Sequence, residues 1–140
     1  MPSPGAIRHL LETCLYVDDL ARARKFYEEV IGLVPGFGDD RMTGYRIGNT
    51  MLLLFRQGGT LEPVEMPSGT IPPHDGTGPA HFALSIEAGT LEAWAGHLQD
   101  SGVAVESRVE WPGSGAVSLY FRDPDGHLVE LATPGLWGID

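Results

Sequence analysis

Cysteine and lysine are nearly absent: Cys14 and Lys25 are single examples in a chain of 140 residues. One cysteine rules out an internal disulfide and suits a reducing interior. The shortage of lysine leaves a formal net charge of −10. Such a surface repels phosphate backbones and anionic bilayers, so neither nucleic acid nor membrane is an expected partner. No apolar run approaches the length of a membrane span. The opening stretch, MPSPGAIRHL, also lacks the apolar segment of a secretion signal. These absences lead to the expectation of a cytoplasmic protein.

What is present is ordinary for a folded chain. Hydrophobic residues make up 42% and charged residues 20%, enough for a core and too few charges for global disorder. One domain, residues 1–140, is expected.

The pattern along the chain is written twice. Residues 9–17 read as a strand whose alternation sets Leu10, Glu12, Cys14 and Tyr16 on one face. Asp18-Asp19 then offers a cap for a helix reaching Gly32, with Leu20, Ala23, Phe26, Tyr27, Val30 and Ile31 as its apolar stripe. Strands follow near 33–37, 41–47 and 50–55, the last two joined by a Gly48-Asn49 turn. Residues 56–79 are rich in Gly and Pro and read as a linker. Then come a strand at 81–86, a helix capped by Thr90 and ended by Gly102, and strands near 103–109, 116–121 and 128–132. The segment Asp123-Pro124-Asp125-Gly126 turns the last pair. Module one is thus about 8–55 and module two about 80–135. Glu12 and His81 are offset by 69 residues, and Gly32 and Gly102 by 70. That is a repeat held in register across a strand and a helix. The expected fold class is α+β, two βαβββ modules forming a cupped, half-open barrel.

In such a module one helix covers one face of its own small sheet, and the other face lines the cup. Three polar residues fall on the lining strands among apolar neighbours: Glu12, His81 and Glu130. Two converging carboxylates repel and are costly to bury. A divalent cation shared with a neutral imidazole removes both penalties. Oxygen-rich ligation suits Mn²⁺, Fe²⁺, Zn²⁺, Ni²⁺ or Mg²⁺, and three protein ligands leave positions open for substrate oxygens.

Three segments carry a family resemblance: ETCLYVDDLARARKFYEEVIGL at 12–33, GPAHFALSI at 78–86 and YFRDPDGHLVEL at 120–131. Together they resemble the vicinal-oxygen-chelate superfamily of lactoylglutathione lyases, fosfomycin-resistance enzymes, extradiol dioxygenases and bleomycin-binding proteins, over residues 8–135. The resemblance implies metal ligands at Glu12, His81 and Glu130, catalytic roles for Glu12 and Glu130, a small-molecule substrate and a homodimer. Two departures bear on the chemistry. The first-strand ligand is commonly histidine, but here it is Glu12. Module one's last strand offers only Met51, Leu52, Leu53 and Leu54 where lactoylglutathione lyases place a fourth ligand.

Around this set, Cys14 and Tyr16 share Glu12's face, His74 stands in the linker as a lid residue or a solvated one, and Trp111 opens a Gly-rich loop. Tyr120 and Arg122 share a face of the strand before the turn, where Arg122 either holds an anionic group or pairs with surface acids. These six are the expected substrate-binding residues. His127 is expected to be exposed, His97 to lie on a helix surface and Trp137 to pack the tail down. No phosphate-cradling glycine loop or nucleophile elbow appears. The expected function is a divalent-metal-dependent lyase, isomerase or epoxide-opening enzyme chelating vicinal oxygens. The alternatives are a metal-free small-molecule binding protein of the bleomycin-resistance type and an extradiol-type dioxygenase.

Overall fold

In the computed structural model, which describes residues 1–139, the repeat becomes two sheets of one topology. The first holds β1 (Glu12–Val17), β2 (Pro35–Gly38), β3 (Met42–Ile47) and β4 (Thr50–Arg56) in the order β1-β4-β3-β2. Strands β1 and β4 run parallel and the other pairs antiparallel. A hairpin follows, β5 (Val64–Met66) with β6 (Gly69–Ile71). The second sheet repeats the plan with β7 (His81–Ser85), β8 (Ser107–Glu110), β9 (Val117–Arg122) and β10 (Leu128–Ala132), ordered β7-β10-β9-β8. The fold is α+β, built from two βαβββ modules.

The first helix is α1 (Leu20–Lys25), continuing as a π-helical turn over Phe26–Val30 closed by Ile31 N–H donating to Phe26 O at 3.2 Å. The second is α2 (Leu91–Asp100). Gly32 and Gly102 take φ of 86° and 75°, the left-handed conformation that ends a helix with least strain in glycine. Thr90 precedes α2, yet its hydroxyl donates to Glu87 O at 2.7 Å and does not cap the helix.

By contacts the chain divides into two compact units, and the division crosses the repeat. One unit holds residues 1–20 and 33–76; the other holds 21–32 and, of the described residues, 77–139. Nearly all of the first helix therefore belongs with the second sheet, against the expectation that it covers its own. Apolar spacing marks which helix face is buried, but it carries no label for the sheet that buries it. Phe26 meets Phe121 and Tyr27 meets Phe82, each at 6.3 Å between ring centroids. Tyr27 is fully buried, and its hydroxyl donates to Asp123 Oδ2 at 2.7 Å. Val129, Leu131, Leu119 and Phe121 are also buried, each contributing roughly 1.5–3 kcal/mol by leaving water. In the first unit the buried set is Leu15, Val17, Tyr45, Leu52 and Leu54.

The segment read as a linker is more structured than its composition suggests. Besides the hairpin, His74 N–H donates to Thr60 O at 3.0 Å, Thr60 hydroxyl donates to His74 O, and Gly58 N–H donates to Asp75 Oδ1 at 3.2 Å. Side chain to backbone bonds of this kind hold a Gly- and Pro-rich chain without regular structure.

Candidate functional site

Strand alternation builds the site. In the second sheet β10 lies between β7 and β9, with Glu130 opposite Ala83 on one side and Tyr120 on the other. Opposed residues share a face, so Glu130, Tyr120, Ser118, Ala132 and His81 present to one side. His81, Tyr120, Glu130 and Ala132 line a cleft of about 540 Å³ with Trp111 and Trp137, and Ser118 joins it through Trp111 and Glu130.

Here Glu130 is only 4% exposed. Its Oε2 accepts from Ser118 Oγ at 2.5 Å, and that oxygen accepts from Trp111 Nε1 at 2.9 Å. Its Oε1 lies 3.3 Å from His81 Nε2. His81 Nδ1 is 2.9 Å from Leu128 O. A carbonyl can only accept, so Nδ1 carries the proton there. With no second proton on the ring, the lone pair of Nε2 faces a carboxylate oxygen, which is also an acceptor. Two facing acceptors call for a positive centre between or beside them. A second proton on the ring supplies one, and so does a divalent cation. The Tyr120 phenol is pushed above its usual range, first by burial and then by the Glu130 charge.

The first unit has its own cleft, about 570 Å³, which includes Glu12, Cys14, Tyr16, Phe55 and His74. Tyr16 hydroxyl and His74 Nδ1 are 2.5 Å apart, and Phe55 lies against both rings. A Cβ on Gly76 would come within 2.6 Å of the Tyr16 ring, so the strap carrying His74 passes this wall closely. The Cys14 thiol is raised by burial and then by Glu12. The Tyr16 phenol is raised by burial, then by Cys14 and Asp75.

The expected site residues therefore divide. His81 and Glu130 come together in the second unit with Trp111 and Tyr120. Glu12 stands in the first with Cys14, Tyr16 and His74. Among the described residues of one chain, no three His, Cys, Asp or Glu side chains gather as a metal site. Arg122 is not part of either cleft: it donates to Glu106 Oε1 at 3.2 Å and Gly126 O at 3.1 Å. His127 is 3% exposed, against expectation, and its Nδ1 accepts from Ala80 N–H at 2.9 Å. The turn before it holds it there, through Asp123 Oδ1 accepting from His127 N–H. His97 lies exposed on α2, as expected, with its Nε2 2.8 Å from Val30 O. Ser118 is not among the residues expected at the site. Its signal was alternation: two residues before Tyr120, it had to share the face of Tyr120 and Glu130.

A family model described as "Glyoxalase/Bleomycin resistance protein/Dioxygenase superfamily" matches residues 6–131. Metallothiol transferase FosB of Shouchella clausii is 31% identical over 121 residues, covering 84% of this chain and 74% of that protein. The crystal structure of lactoylglutathione lyase from Agrobacterium tumefaciens is 31% identical, covering 98% of this chain and all of that one with a TM-score of 0.84. Fosfomycin resistance protein FosX from Mesorhizobium loti shares the fold at 20% identity, covering 94% of this chain and 97% of its own, with a TM-score of 0.66.

Proposed function

This chain belongs to the Glyoxalase/Bleomycin resistance protein/Dioxygenase superfamily, and we propose that it is a divalent-metal-dependent enzyme acting on a small molecule through two adjacent oxygens. The reaction class proposed is lyase, isomerase or epoxide opening. The carrying observation is the approach of His81 Nε2 to Glu130 Oε1, 3.3 Å apart beside a cleft. An imidazole nitrogen and a carboxylate oxygen fit Mn²⁺, Fe²⁺, Zn²⁺ or Ni²⁺, with Mg²⁺ favoured only if more oxygen ligands join. A cation bound there supplies Lewis-acid stabilisation of negative charge developing on the two substrate oxygens.

The chain's own residues do the rest. Leu128 O orients the His81 ring through Nδ1–H, so that Nε2 faces the ligand position. Ser118 holds one Glu130 oxygen and leaves the other directed at the same position. Trp111 fixes the Ser118 hydroxyl and belongs to the cleft beside it. Glu12 is the third ligand and the proton acceptor, supplied by a second copy of the chain. The homodimer is part of the same proposal, supported by the lack of a third donor beside His81 and Glu130 among the described residues.

Elemental analysis and Mn²⁺ equilibrium dialysis test it. One cation per chain is expected, lost in Glu130→Gln and His81→Ala. Mixing Glu12→Ala chains with His81→Ala chains is expected to restore one site per mixed dimer. A protein that takes up no divalent ion, with a melting temperature none of them moves, refutes the reading in favour of a metal-free binding protein.

A further inference from the structure

We infer that the substrate of this site has a planar apolar body and no phosphonate or phosphate group, and that Trp137 is the residue that grips it. The inference rests on the proposed function for the site's location, and goes beyond it in naming the substrate class.

Charge decides the first half. A phosphonate dianion entering a cleft needs cationic or multiple N–H partners to replace its water. The second-unit cleft has no arginine or lysine among its described lining residues. Arg122 is engaged by Glu106 and Gly126 O, Arg22 by Asp125, Arg24 by Glu28 and Arg108 by Glu92. The first-unit cleft has one cation, Arg41, and it stands 3.9 Å from Asp39 with Glu12 on the same lining. With a net charge of −10, the long-range field also opposes a dianion. Both clefts suit a ligand whose only charge-bearing part is the one that meets the cation.

Trp137 decides the second half. It is the one described non-glycine residue with positive φ, at 61°. A bulky side chain pays for that conformation in strain. The turn that imposes it is closed by three backbone bonds: Gly135 N–H to Ile139 O, Gly138 N–H to Gly135 O, and Ile139 N–H to Leu136 O. The ring so placed is 87% exposed, so packing does not repay the strain, against the expectation that it anchors the tail. Yet it lines the cleft that holds His81 and Glu130, as do Trp111, Tyr120 and Leu136. An aromatic held in water beside a metal-type site is suited to stacking on a flat apolar group.

The test uses the full chain loaded with Mn²⁺ and follows tryptophan fluorescence, since two of the three tryptophans line this cleft. The probes are 1-phenylethane-1,2-diol, propane-1,2-diol and fosfomycin, a phosphonate. The phenyl diol is expected to bind at least tenfold more tightly than propane-1,2-diol, and fosfomycin no more tightly than propane-1,2-diol. Trp137→Gly suits the left-handed backbone, so its melting temperature is expected to hold or rise. Its phenyl-diol affinity falls to the propanediol level while Mn²⁺ affinity is unchanged. Repeating the titrations in EDTA reads the ring preference without the metal, so loss of the metal reading is seen separately. Tighter binding of fosfomycin than of the phenyl diol overturns the inference. So does a Trp137→Gly protein that binds the phenyl diol as the unaltered chain does.

Discussion

Replacing Ser118 by alanine removes one oxygen atom and tests the geometry on which the site depends. Ser118 is fully buried and Glu130 almost so. The lost bond to a carboxylate is worth about 1.5–3 kcal/mol, and the lost acceptor for Trp111 roughly 0.5–1 kcal/mol more. Ser118→Ala should therefore destabilise the metal-free protein by about 2–4 kcal/mol. At roughly 2 cal/mol/K of unfolding entropy per residue, that lowers Tm by about 7–14 °C. The assay is urea denaturation with Tm as a check, in EDTA, on the single variants and on the pair with Glu130→Ala. If the bond is the cause, Ser118→Ala costs far less once Glu130 is gone, a coupling of about 1 kcal/mol or more. Mn²⁺ affinity should fall in Ser118→Ala, because Glu130 is no longer held with one oxygen forward. A loss below about 0.5 kcal/mol, within the range of surface substitutions, refutes the reasoning. So does an equal loss with and without Glu130.

Two further outcomes follow from the same packing. Tyr27→Phe removes the donor to Asp123 Oδ2 in a buried setting, and should cost about 1.5–3 kcal/mol by denaturation; a neutral result means that water serves Asp123 there. Burial and then Glu12 raise the Cys14 thiol, so in EDTA its alkylation should turn on at higher pH than a free thiol's. Glu12→Gln removes the smaller cause, so the midpoint should move part of the way down by mass spectrometry. A midpoint that stays or rises counts against the placement of Glu12 beside the thiol.

Much of the architecture was local information. Period-two alternation put Glu12, Cys14 and Tyr16 on one face, and the Gly32 and Gly102 stops marked matching helix ends. The repeated order of elements appears as two sheets of equal topology. The pairing of His81 with Glu130 followed from the same alternation once β7 and β10 were neighbours. The Asp123–His127 turn was legible as a turn, but the burial of His127 was not, because Ala80 is its partner from 47 residues away.

By itself, then, the sequence determined the elements, their faces and their duplication, since each is set by residues within a turn or a strand of one another. Tertiary structure alone decided that most of the first helix belongs with the second sheet, that Ser118 and Trp111 hold Glu130, that Arg122 is bound elsewhere, and that Trp137 stands out in water on a left-handed backbone. The physical reason is that an amphipathic pattern records how much of a side chain must leave water, and carries no record of which distant atoms will meet it there.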